Sequence, residues 1–342
     1  MYKDDLAKKI RDKAVELGFE SCGIVKLDML RDYEIALNQR LEDCPESRPM
    51  LEYARKYAAP ENAYPGAKAV VVCITRYGKY KVPENLEGLI GKYYLYDHKL
   101  QPDSEVTKSI AKLEEYFNEL GIRASKELHG VTAARWAACK AGLGIIRKNN
   151  FFYTKHGSWM IIDTWVIDHE LEWIETNDLT ACPEGCTKCI DACPTKALKK
   201  PYCTNMAACI TRLTWGVKDL LLESLYEATG KWIYGCDECQ NVCPLNSEAW
   251  IDEEELPGLS ELAEKISLIK ILSMDEKTIK EVLMPKFWFI QPESFWLWKV
   301  NAIKSMINDF KPEYKEHLIS ASKDENEKVR NMAFHSLKKL GL

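Results

Sequence analysis

Nine of the chain's thirteen cysteines fall between Cys182 and Cys243, at spacings that suit metal ligation. One segment reads Cys182-x3-Cys186-x2-Cys189-x3-Cys193-Pro194, and a second reads Cys236-x2-Cys239-x3-Cys243-Pro244. Such short intervals let one tight loop offer thiolates to several corners of a cubane. The proline after the last cysteine fixes φ and withholds a donor, which helps turn the chain towards a second site. Two cubanes take eight thiolates. The two segments supply seven, so the eighth has to come from elsewhere, with Cys203 and Cys209 lying between them. Structural zinc is the alternative, but zinc sites generally use separated cysteine pairs, often with histidine. No histidine stands between His169 and His317. The chemistry expected is electron transfer through two [4Fe–4S] clusters.

Both segments end in the Cys-x2-Cys-x3-Cys-Pro phrase of bacterial two-cluster ferredoxins, in which the last cysteine of each run ligates the other cluster. The same crossing here would join Cys182, Cys186 and Cys189 to Cys243, and Cys193 to Cys236, Cys239 and an intervening cysteine. The extra residue between Cys182 and Cys186 departs from the commoner spacing. Cys22, Cys44, Cys73 and Cys139 are isolated in sequence and read as buried structural thiols.

The rest of the chain has to position this module. At 342 residues, 46% hydrophobic and 29% charged, it has the material for a sizeable core in two or three domains. Its net charge of −5 argues against a chain-wide nucleic-acid surface. The opening stretch is charged and amphipathic, unlike a secretory signal, and no apolar run approaches the ~18 residues of a membrane span. A cytoplasmic protein with no membrane partner is expected, in a compartment where clustered cysteines more often bind metal than pair as disulfides. Residues 67–77 and 158–168 read as strands; 106–120 and 133–141 read as helices, each followed by a glycine. The class is α+β, with a mixed α/β domain over 1–175, the cluster module over 176–255 and helices over 256–342. Three short amphipathic segments close the chain, at 295–310, 312–322 and 325–340, in the manner of a HEAT-like repeat or of a plain helical cap.

Beyond the cysteines, the sequence resembles the epoxyqueuosine reductase family. The likeness runs through AGLGIIRKN at 141–149, GSW at 157–159, CTKCIDACPTKAL at 186–198, Cys209-Ile210 and IYGCDECQNVCPLN at 233–246, and reaches the helical tail. It implies an N-terminal corrinoid-binding domain, a ferredoxin-like double-cluster module and a HEAT-like tail. In such a reductase a low-potential donor of flavodoxin or ferredoxin type feeds two clusters. Base-off cobalamin receives the electrons and the substrate is epoxyqueuosine in tRNA; a monomer is expected. Related enzymes use the same cofactors for reductive dehalogenation, and an electron-transfer or corrinoid-handling protein is a further alternative. By position, Cys209 becomes the eighth ligand and Cys203 is left over. Gly142, Gly144, Lys148, Asn149, Gly157, Ser158 and Trp159 become candidates for the corrinoid pocket; glycines allow close backbone approach, and lysine and asparagine can meet its phosphate and amides.

The sequence also departs from the family. A D-x-x-P-x-x-E-R phrase precedes AGLG there, and its aspartate is the expected proton donor. Here Leu128, Val131 and Ala134 replace the aspartate, proline and glutamate, while Arg135 is kept. His129 could take over the proton transfer, since imidazole titrates near neutrality. Tyr96 and Asp97, in KYYLYDH at 92–98, stand where the family carries a tyrosine- and aspartate-bearing segment, and Arg135 could hold an anionic substrate. Arg147 replaces a glycine, Leu245 replaces a tryptophan, and ITRLTWG after Cys209 lacks the usual acid. Together these departures suggest a paralogue that keeps the redox chain and acts on another substrate. Residues 301–342 hold eight Lys or Arg against six Asp or Glu, which is no phosphate-binding stripe.

Overall fold

The computed structural model describes residues 3–98, 101–126 and 133–342. Leu128 and His129 lie outside them. Eight strands occur in chain order: β1 (Ser21–Lys26), β2 (Ala69–Arg76), β3 (Ala124–Ser125), β4 (Ile145–Ile146), β5 (Phe152–Tyr153), β6 (Met160–Ile167), β7 (Leu198–Lys200) and β8 (Cys203–Thr204). The main sheet has the order β1-β2-β6-β3 with every pairing antiparallel. Its centre is β2, whose run AVVVCIT is buried on both faces because helices cover both. Period-two alternation sorts its residues. Val71 and Cys73 face the helices Lys3–Glu16 and Glu105–Glu119, meeting Ile10, Leu113 and Phe117. Val70, Val72 and Ile74 face the helix Ala134–Lys140, through Ala137 and Ala138. The strand expected over 67–77 and the helices over 106–120 and 133–141 therefore form, with each end within two residues of the one expected.

Two small hairpins extend this domain towards the cysteines. β4–β5 carries the AGLGIIRKN phrase, and β7–β8 lies between the two cysteine segments. The tail forms the helices Trp296–Asn308, Tyr314–Ala321 and Glu327–Leu340, close to the three expected segments. The largest apolar cluster is continuous from Tyr77 and Trp159 through Ile233 and Tyr234 to Val300, Ile303 and Met332. Residues on either side of the cysteine module therefore share one core. Among the described residues, no helix is long and apolar enough to cross a membrane.

The expectation for Cys44 and Cys203 needs correction. Neither is a separate thiol: the two are joined in a disulfide with Cα atoms 5.5 Å apart at a sequence separation of 159. The helix Tyr33–Asp43 ends against the β7–β8 hairpin, which brings the pair together. The same contact is tied by Ser47 Oγ donating to the Thr204 carbonyl and by the Lys199–Glu46 ion pair. Cys22 and Cys73 do remain buried free thiols, directly opposite one another on β1 and β2.

Candidate functional site

The two cysteine segments fold into the same turn, offset by fifty residues from Cys186 to Cys236. In the first, Ile190 and Asp191 N–H donate to the Thr187 carbonyl and Cys193 N–H to that of Ile190. In the second, Gln240 and Asn241 donate to Asp237, and Cys243 to Gln240. Each turn winds one short helix, Lys188–Asp191 or Glu238–Asn241, and then breaks at its proline. The two segments present seven half-buried free thiols, and Cys209, between them in sequence, adds an eighth.

Their grouping follows the crossed pattern. A small space is lined by Cys182, Cys186, Cys189 and Cys243, with Arg147, Tyr153 and Leu245 closing it. Burial, and then the neighbouring thiols of Cys243, Cys182 and Cys186, push the Cys189 thiol up. In the second group burial and mutual repulsion act on Cys236, Cys239 and Cys209; Cys193 acts on both Cys209 and Cys239, and Cys239 also feels Cys189 of the first group. Ionising four such thiols together is costly in a dry site unless a cation is held between them. Iron supplies that charge, so the donor set fits a cluster in each group.

The residues expected around a corrinoid take up several positions. Lys148 donates from Nζ to the Cys186 carbonyl at 2.9 Å, and Asn149 donates from Nδ2 to the Cys239 carbonyl at 3.1 Å. Two adjacent side chains thus hold one cysteine segment each. Ser158 N–H donates to Asn246 Oδ1, and Ser158 Oγ donates to Gln240 Oε1 at 2.8 Å. Gly157, at φ +83°, permits this approach, because a Cβ there would stand 2.6 Å from Asn246 Oδ1. Gly142, at φ +72°, passes against the Glu175 main chain with no room for a Cβ. Trp159 packs edge-on to Tyr77 and Trp250, beneath the Lys92 ammonium. Sequence reasoning assigned no role to Gln240 and Asn246, although both lie in the stretch that carried the family likeness.

Gly144 and Arg135 instead line a cavity of about 840 Å³. Its other walls include Tyr33, Arg40, Tyr53 and Tyr202, none of which has a sequence signature of its own. Arg135 donates to the Asn150 carbonyl, and burial pulls its guanidinium below its ordinary range. Arg40 is pulled to about 10, first by burial and then by repulsion from Arg135. Among the described residues, no carboxylate acts on either guanidinium. Two cations beside aromatic walls, Arg40 half-buried and Arg135 with much of its surface exposed, suit a ligand that combines flat apolar surface with a negative charge.

Tyr96 and Asp97 lie elsewhere. Tyr96 lines a second cavity, of about 450 Å³, with His98 and Lys286, and its hydroxyl donates to the Lys81 carbonyl at 2.7 Å. Asp97 accepts from the Trp288 indole at 3.3 Å, and its carbonyl accepts from Lys286. Tyr94 and Tyr96 belong to an aromatic cluster, where burial pushes both phenols up.

Comparison with known proteins agrees with this geometry. Residues 181–246 match the model of a 4Fe-4S double cluster binding domain. The epoxyqueuosine reductase of Leadbetterella byssophila is 32% identical over 249 residues, covering 72% of this chain and 81% of the relative. That of Aliivibrio fischeri is 32% identical over 80% of this chain and 76% of its own length. The solved epoxyqueuosine reductase of Streptococcus thermophilus superposes over 97% of this chain and 90% of its own, with a TM-score of 0.78 at 22% identity. A crystal structure of epoxyqueuosine reductase with a tRNA-Tyr epoxyqueuosine-modified stem loop gives 0.72 over 99% and 91%. An oxidoreductase built around a double [4Fe–4S] module, the chain belongs to the epoxyqueuosine reductase family.

Proposed function

We propose that the chain passes single electrons from an external flavodoxin- or ferredoxin-type donor through its two clusters to a bound corrinoid, and thence to a substrate. The observation that supports this is the small space lined by Cys182, Cys186, Cys189 and Cys243, which brings the last cysteine of the second segment to the first. Exchange of that kind keeps the clusters close, as electron transfer between them requires. Cys182, Cys186, Cys189 and Cys243 would hold the first cluster, and Cys193, Cys209, Cys236 and Cys239 the second.

The cavity of about 840 Å³ is the best place for the corrinoid. When bound, that group supplies low-valent cobalt chemistry. Arg40 and Arg135 would hold its phosphate, Tyr33 and Tyr53 would cover its apolar surface, and Gly144 would let the main chain approach it. Lys148, Asn149, Gly157, Ser158 and Trp159 act one layer out, fixing the cysteine turns against β4–β5 and β6. Residues 144–150 line this cavity on one side and the first thiol set on the other, which would keep the electron path short. Tyr96 and Asp97 remain secondary proton-donor candidates, and His129 is a candidate from sequence alone. We read the chain as a cytoplasmic monomer of three parts, 1–175, 176–255 and 256–342, the last HEAT-like.

The substrate is proposed as epoxyqueuosine in tRNA or a relative of it. A second reading, reduction of another molecule in the same pocket, is favoured by the leucine at position 128. Anaerobic loading followed by iron, sulfide and cobalt analysis tests the cofactors. About eight irons with bound corrinoid is expected, whereas four or fewer with stoichiometric zinc would overturn the cluster assignment. Turnover of epoxyqueuosine-containing tRNA under a strong reductant then separates the two substrate readings.

A further inference from the structure

The helix Trp296–Asn308 is buried along most of its length, yet it carries Asn301, Lys304, Ser305 and Asn308 along one side. All four grip main-chain carbonyls around the segment that leads into Cys236. Asn301 donates to Thr214 at 2.7 Å and Ile233 at 2.9 Å, and Lys304 donates to Trp232. Ser305 donates to Lys231 at 3.0 Å, and Asn308 to Tyr226 at 2.9 Å and Gly230 at 2.8 Å. A carbonyl needs only a donor, and three of these positions supply a neutral one. Lys304 alone is ionisable.

Its surroundings make the charge conspicuous. Lys304 is 1% exposed and, among the described residues, has no carboxylate partner. The other buried lysine of the same helix, Lys299, has Asp324 at 2.7 Å. The carbonyl that Lys304 holds, Trp232, stands four residues before Cys236; burial pulls the ammonium down to about 7, and the Cys236 thiol opposes that pull. An ammonium kept in a dry interior without a counter-charge is strongly disfavoured. A [4Fe–4S] cluster bound by four thiolates is anionic, and Cys236 would bring one to this place.

We propose that Lys304 is the counter-cation of the second cluster and raises its reduction potential. This rests on reading Cys236 as a cluster ligand. Reduction adds one electron to the cluster and so one negative charge, which a cation in a low-dielectric interior stabilises more than it stabilises the oxidised form. Lys304 is thereby a positioning residue for electron flow: it holds the Cys236 approach by its hydrogen bond and sets the cluster's poise by its charge.

The test is a reductive titration of the anaerobically loaded full chain, followed by electron paramagnetic resonance. Lys304→Gln keeps a donor for the Trp232 carbonyl and removes the charge. With about eight irons retained, one cluster should become harder to reduce by about tenfold in its reduction equilibrium, which for one electron is about 59 mV. The other cluster should stay put, and Lys304→Arg should restore most of the shift. Ser305→Ala, which deletes a neighbouring hydrogen bond without touching a charge, should move neither. Unchanged potentials in Lys304→Gln would overturn the proposal, as would an equal shift in Ser305→Ala. Should Lys304→Gln fail to hold iron, Lys304→Met, which fills a similar volume, decides in its place. Four or fewer irons in the unmodified chain would instead overturn the cluster reading itself.

Discussion

Asp163, on β6, is buried between Lys126 and His98, whose Nε2 lies 3.4 Å from its carboxylate. Burial alone would push this carboxyl up. The nearby His98 imidazole and the Lys126 ammonium, which donates to the carboxylate, outweigh it and hold the carboxyl at about 2. A carboxylate depressed in the folded state contributes stability above its unfolded value near 4, and that contribution is lost as pH falls through about 2. Asp163→Asn should therefore cost about 2–3 kcal/mol at neutral pH and flatten the stability curve between pH 4 and pH 2. Urea titration across that range measures it, and parallel curves for both proteins would show that the carboxylate is not what holds this end of the sheet. At position 128 an alkyl side chain has no proton to give at any pH. If only the acid has been lost, Leu128→Asp should raise turnover of epoxyqueuosine-containing tRNA by roughly 10²-fold. Unchanged turnover would turn the search to other substrates.

At the scale of elements, the chain is held across its seam by contacts remote in sequence. The Cys44–Cys203 bridge links the helix Tyr33–Asp43 to the β7–β8 hairpin and closes a span of 159 residues. Chain entropy sets an upper limit of about 5 kcal/mol on what so long a loop closure contributes. Cys203→Ser should lower the melting temperature by several degrees under non-reducing conditions, and thiol reductant should lower the unmodified chain to the same value. Identical melting with and without reductant would mean that the bridge does not form in solution. This seam also marks where sequence reading stopped. The cysteine turns were legible because their ligands sit two or three residues apart, so a local phrase contains the local geometry. Lys148 and Asn149 were noticed as residues with donors, but their acceptors are main-chain carbonyls 38 and 90 residues away, which no spacing announces. Cys44 looked solitary for the same reason. Strands β2 and β6 were legible from composition, whereas their antiparallel pairing and the short β3 at the sheet edge were not.

Across the whole molecule, one apolar cluster runs from Tyr77 to Met332 through Ile233 and Tyr234, while a different set of residues packs the outer face of the main sheet. Loss of the clusters should be felt unevenly as a result. Hydrogen exchange after chelation should show early loss of protection at 186–193 and 236–243, spreading to 226–233 and the 296–308 helix. The amides of β2 and β6 should stay protected. Uniform loosening would argue that the sheet depends on the metal sites as well. The same continuity bears on heredity. A recombination event that carried residues 176–255 into another protein would bring every proposed cluster cysteine with it. It would leave behind Asn301, Lys304 and Ser305, which grip the approach to Cys236, and Lys148 and Asn149, which hold the two turns in register. The cysteines can be copied as a cassette, but the surroundings that fix them belong to the chain on both sides, so descent should favour transmitting the cysteine segments together with their flanks.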